Sequence, residues 1–172
     1  MFLDGLKHNL VKTKVNNWLA QPTTHKEVGH IANVVILIEE RFVNEGKNLL
    51  KRLDKLTQSS ENKLVVFAEK RADQSAEDLL YLSKKDFSLF GNLKNEAVKK
   101  LIEQPFGLLI SYYTSENVFL NFVATQSKAA FKVGIDHKNT AINALTIQVE
   151  TTDVAAFETE LVKYLKLLKR IE

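Results

Sequence analysis

The chain has 172 residues, 45% apolar and 26% charged, with 24 basic and 21 acidic side chains and no cysteine. That length suits one domain with a sizeable core rather than two, and the missing thiols exclude disulfides, thiolate metal sites and cysteine nucleophiles. Its apolar runs, such as VVILI, fall far short of the roughly 18 residues that a membrane span needs, and lysines scattered among acids argue against a nucleic-acid surface.

The opening stretch, MFLDGLKHNLVKTKVNNWLA, holds no apolar core of the kind a secretory signal requires, so a cytoplasmic location is expected. Leu3, Leu6, Leu10, Trp18 and Leu19 fall on or near one stripe at three-to-four-residue spacing, opposite Lys7, Lys12 and Lys14. This predicts an N-terminal amphipathic helix over 1–22, ended by Pro22 and the polar run that follows it. Standing ahead of the first strand, the helix must pack outside the core or on another chain. Leu6, Leu10 and Trp18 are therefore the candidate contacts with a second copy or a protein partner. A basic amphipathic helix can also lie on a membrane surface, but the Asn16–Asn17 pair favours simple packing.

A single α/β domain is expected over 31–172. IANVVILIEE (31–40) is a continuous, β-branched apolar run, the mark of a strand buried on both faces. A helix follows with Phe42, Gly46, Leu49, Leu50, Leu53 and Leu56 inward, and KLVVFAE (63–69) is a second buried strand. Two such strands joined by a helix imply a parallel pair with a right-handed crossover. LLYL (79–82) reads as a short strand, SKKDFSLFG (83–91) as a loop, and NLKNEAVKKLIEQ (92–104) as a helix stopped by Pro105. FGLLISYY is the next strand. Thr114 or Ser115 then caps a helix with Val118, Phe119, Phe122 and Val123 inward, and AFKVGI is the strand after it. ALTIQVE alternates as an edge strand does, and Thr152 or Asp153 caps a last helix with Val154, Phe157, Leu161, Leu165 and Leu168 on one face. The pattern predicts a three-layer, Rossmann-like α/β domain with a mostly parallel sheet of about five strands.

In such sheets ligands bind at the carboxyl ends of the strands. Those ends carry Glu39, Glu40 and Arg41; Glu69, Lys70 and Arg71; Tyr112, Tyr113, Thr114 and Ser115; and Gly134, Asp136 and His137. Polar residues also stand wherever a strand reaches water, so they mark a place rather than a chemistry. The first strand–helix turn, LIEERFVNEGKN, has no glycine before Gly46 and puts two glutamates where an anion would sit. That argues against a dinucleotide phosphate. Tyr112, Thr114, Ser115, Asn117, Lys128 and Asp136 are the candidate ligand-binding residues. Glu39 and Glu40 are adjacent, with no aspartate on the later strand end where Ser111 stands, so no metal site is predicted. His8, His25, His30 and His137 show no helical pairing for zinc, and no nucleophile elbow is present. No catalytic residues, cofactor or metal are therefore nominated, and the balance leans away from an enzyme.

FGLLISYYTSENVFLNFVATQSKAAFKVGI, the upstream YLSKKDFSLFGNLKN and the opening MFLDGLKHNLVKTK together resemble a family of small uncharacterised proteins from flavobacteria and other Bacteroidetes, a domain of unknown function. The resemblance spans nearly the whole chain and implies a bacterial cytoplasmic origin without an activity. The strand–helix–alanine-rich turn–strand order is also similar to the acceptor-side half of heptosyltransferase-type glycosyltransferases. Here Gly107 replaces the usual aspartate and the nucleotide-binding half is missing, so only the topology is implied. Two functions follow as expectations. The first is a non-catalytic interaction or adaptor protein acting through the N-terminal helix. The second is a binder, or an enzyme, taking a small nucleotide- or sugar-phosphate-like ligand in the carboxyl-end crevice.

Overall fold

The computed structural model of the chain describes residues 2–21, 31–57, 59, 61–69, 78–114, 116–135, 141–150 and 152–171. Helix α1 (Phe2–Leu19) is followed by strand β1 (Val34–Glu39), α2 (Val43–Thr57), β2 (Lys63–Phe67), β3 (Leu79–Leu82), α3 (Glu96–Glu103), β4 (Phe106–Tyr112), α4 (Val118–Gln126), β5 (Ala129–Gly134), β6 (Leu145–Thr146) and α5 (Val154–Leu167). Among the described residues the strands form one six-stranded sheet in the order β3-β2-β1-β4-β5-β6, and each neighbouring pair is parallel. This is the doubly wound order. The Rossmann-like three-layer expectation holds, with LLYL as an edge strand and only two residues of ALTIQVE paired.

Strand alternation sorts the core into two layers. Val35, Leu37, Val65, Leu109 and Tyr113 face α1, α3 and α4, meeting Val11, Val15, Val98, Ile102, Leu120 and Val123. Ile36, Ile38, Leu64, Ile110 and Tyr112 face α2 and α5, meeting Leu49, Leu53, Phe157 and Leu161. The ion pair Arg52–Glu158, at 2.5 Å, ties α2 to α5 on that side.

Helix α1 packs on its own domain, against α4. Its inward line is Val11, fully buried, and Val15, with His8 against Phe119 at 6.2 Å between ring centroids and Trp18 over Lys132. At roughly 100° per residue, Leu3, Leu6 and Leu10 stand well round the helix from Val11. The apolar residues thus form two separate lines rather than one stripe, and Lys7 and Lys14 stand beside the leucine line rather than opposite it. Of the three contacts expected on this helix, Trp18 is half-buried within the domain, Leu10 is half-buried, and Leu6 remains exposed.

Asn62, only 2% exposed, joins the layers at the amino edge of the sheet. Its Oδ1 accepts from the Val34 N–H at 2.7 Å, while its Nδ2 donates to Asp54 at 2.8 Å and to Thr57 Oγ1 at 3.1 Å. No apolar residue supplies those bonds, and an unsatisfied buried N–H costs about 1–3 kcal/mol. Asn62→Ala is therefore expected to lower unfolding free energy by about 2 kcal/mol, read as a shift of the urea midpoint.

Candidate functional site

At the centre of the sheet β1 and β4 lie side by side, while the helices that follow them leave to opposite faces. Chains that diverge in this way open a crevice beyond the strand ends, the place where doubly wound proteins bind ligands. Here the crevice measures about 710 Å³ and is lined by Asp4, Gly5 and His8 of α1, Glu39, Glu40 and Arg41 after β1, Phe67 and Glu69 at β2, Lys84, and Thr114, Glu116, Asn117, Val118 and Phe119 between β4 and α4. That volume lies within the range of small-molecule sites.

The floor is apolar. Phe119 stacks on Phe67 at 5.6 Å with 9° between the planes. The walls are polar and cross-tied. The Glu39 carboxylate accepts from Arg41 Nε at 3.1 Å and Nη2 at 2.7 Å, and from Asn117 Nδ2 at 3.5 Å. Asn117 Oδ1 in turn accepts from the Leu120 N–H at 3.1 Å, which makes it the N-cap of α4. One side chain therefore links the end of β1 to the start of α4. Thr114 and Ser115 were the expected caps. Thr114 instead lends its carbonyl to the Asn117 N–H at 3.1 Å, forming the turn that brings Asn117 into the capping position. On the far wall, Lys7 Nζ donates to the Lys84 carbonyl at 3.0 Å and fixes that segment against α1.

Five carboxylates (Asp4, Glu39, Glu40, Glu69, Glu116) line the crevice against two side-chain cations, Arg41 and Lys84. Arg41 already serves Glu39. Such a lining repels anions and offers acceptors, so a ligand must supply N–H or O–H donors. Among the described residues no group of three or more His, Asp or Glu could hold a metal ion.

Of the expected site residues, Thr114 and Asn117 meet in this crevice. Tyr112 does not reach it. It turns to the α2–α5 layer, edge-on to Phe42 at 5.8 Å and to Phe157 at 5.0 Å, and burial, with Asp153 and Glu45 nearby, pushes its hydroxyl up to about 12. Lys128 is exposed at the opposite, amino edge, where its N–H donates to the Ile102 carbonyl at 3.0 Å. Ser115 and Asp136 lie outside the described residues, as do Lys70, Arg71, His25, His30 and His137. Asp4, Gly5, His8 and Lys84 were not anticipated, because nothing local in the sequence places α1 over the carboxyl edge. Gly5 was the available signal. Glycine disfavours a helix, yet a Cβ there would meet nothing within 4 Å, so the fold does not demand it.

Fold and crevice together define an open doubly wound α/β protein with a ligand-sized cleft at its strand-order reversal. Within that class, the chain belongs to the family of unknown function DUF6913, whose model matches residues 7–168. No curated protein and no solved structure matches it significantly. Among the described residues no helix is long and apolar enough to cross a membrane.

Proposed function

We propose that this protein binds a small, donor-rich organic ligand, an amine or a polyol, in the crevice between β1 and β4. The observation that carries this reading is the crevice itself, about 710 Å³ at the strand-order reversal, with Phe67 and Phe119 as floor and carboxylates as walls. Acceptor-lined walls favour amines and polyhydroxylated compounds over nucleotide phosphates. A bacterial, cytoplasmic setting belongs to the same reading. An interaction or adaptor role draws on a different feature, the exposed Leu3 and Leu6 of α1, and is compatible with a ligand-binding core.

The test is native mass spectrometry of the protein purified gently from its own cells, alongside Gly5→Trp. The wall at Gly5 has open space for a Cβ, so the variant is expected to fold and to obstruct the cleft that Gly5 lines. Extra mass on the wild type, shed on denaturation and absent from Gly5→Trp, is the expected result. Bare mass for both, with no thermal stabilisation by a panel of polyamines and sugars, would reject the reading.

A further inference from the structure

Beside α1 the chain makes a tight turn that presents two apolar side chains to solvent. Phe87 and Leu93 pair across its base, and Phe87 is buried against Phe119 and Phe122. The Ser88 N–H donates to the Asn92 carbonyl at 2.8 Å, and the Gly91 N–H returns to the Ser88 carbonyl at 3.0 Å. Ser88 Oγ accepts from the Asn92 N–H at 3.1 Å, and Gly91 takes the left-handed conformation, φ 70°, that closes the turn. At the tip of this well-bonded turn Leu89 is 47% and Phe90 76% exposed.

The turn abuts α1. A Cβ on Gly91 would lie 3.1 Å from the Val11 nitrogen, and Lys14 donates to Asn92. On the side of α1 that carries Lys7 and Lys14, Leu3 is 55% and Leu6 43% exposed. Apolar side chains thus protrude from two neighbouring elements, and lysines collar them: Lys7 and Lys14 on the helix, and Lys84, Lys85 and Lys94 around the turn, the last three exposed. Carboxylates offset this collar only in part. Asp86 is buried, its carboxylate accepting from the Ser83 N–H and hydroxyl at 2.8 and 3.0 Å, whereas Asp4, like Lys84, also borders the crevice. Asp4 and Glu96 are the exposed acids at this face.

We propose that this face docks the protein on an anionic lipid surface, with Phe90 and Leu89 entering the headgroup region and the lysines meeting lipid phosphates and carboxylates. Two features favour a bilayer over a protein partner. The apolar part is a convex tip, which a bilayer accommodates without a matching pocket, and its collar is predominantly cationic, five lysines against Asp4 and Glu96, as attraction to anionic lipid requires. Attachment of this kind needs no membrane-crossing helix.

The intact protein would be sedimented with phosphatidylcholine vesicles made with and without phosphatidylserine, in parallel with Leu89→Ser/Phe90→Ser and with Lys85→Glu/Lys94→Glu. The wild type is expected to pellet with the phosphatidylserine vesicles alone and to be released by salt. Each double variant should bind about tenfold more weakly or worse. All four positions are exposed, so thermal unfolding should be nearly unchanged, and the lysine pair still tests the face if the apolar pair misfolds. Failure to pellet with phosphatidylserine, or equal pelleting of wild type and both variants, would overturn the proposal. So would self-association in the absence of lipid that disappears with Phe90, which would mean that a second copy covers the face.

Discussion

Phe119→Ala is expected to destabilise the fold by about 3–5 kcal/mol, the largest effect anticipated for a single truncation at the crevice. Phe119 is 4% exposed and its ring is shared by several elements. It stacks on Phe67 at the end of β2 at 5.6 Å, meets Phe87 at the base of the Leu89–Phe90 turn at 4.9 Å, and lies 6.2 Å from His8 on α1. Removing it opens a cavity between α1, α4 and the sheet that no neighbour can fill, because each is held by its own element. Part of the loss should appear as weaker docking of α1, and so as a urea transition that broadens and loses slope as well as shifting. Phe119→Leu retains most of the volume and should cost less than half as much. A loss below about 1 kcal/mol for the alanine variant would mean that α1 does not pack on this ring.

The elements were legible because their causes are local. VVILI has no polar side, so β1 could only be a central strand, and the leucines of α2 repeat at helical spacing along its inward face. What escaped depends on contacts between distant segments. Thr114, Ser115 and Asn117 are all good caps by residue type, and only the closure of the Thr114–Asn117 turn selects Asn117. On α1 the leucine line and the Val11–Val15 line both have helical spacing, so periodicity alone could not say which would meet α4. Tyr112 and Tyr113 occupy opposite faces by strand alternation, but which face carries the crevice helix depends on where α4 crosses. Lys128 could have been excluded by topology. A residue between a crossover helix and the next parallel strand has returned to the amino edge, away from any carboxyl-end site. The position of α1 over the cleft is the least local feature of all, since residues 2–19 reach the crevice of residues 39–41 by packing on α4 and on the 84–92 segment.

The second large effect is a dependence of stability on alkaline pH, set by Lys132 and Tyr112. Lys132 lies on β5 under α1, its Nζ donating to the Ala124 carbonyl at 2.6 Å and placed 5.1 Å from the centre of the Trp18 ring. Burial lowers its pKa from the ordinary 10.5 to about 8. Between those values the unfolded chain holds a proton that the folded chain has released, so unfolding takes up a proton and becomes less favourable as pH rises. Stability contributed by Lys132 should therefore increase from pH 7 to pH 10 by roughly 2 kcal/mol. Tyr112 acts in the other direction at higher pH. Its hydroxyl, raised by burial from 10.0 to about 12, stays protonated in the fold after the unfolded chain has ionised, so stability falls again above pH 10. Urea midpoints measured from pH 7 to pH 11 should pass through a maximum near pH 10 in the wild type. Lys132→Met, which keeps a long side chain under Trp18 but cannot titrate, should lose the rising limb and retain the fall. Tyr112→Phe should do the reverse. A flat wild-type profile between pH 7 and pH 10, parallel to that of Lys132→Met, would mean that the ammonium group remains hydrated and that α1 does not close over β5 in solution.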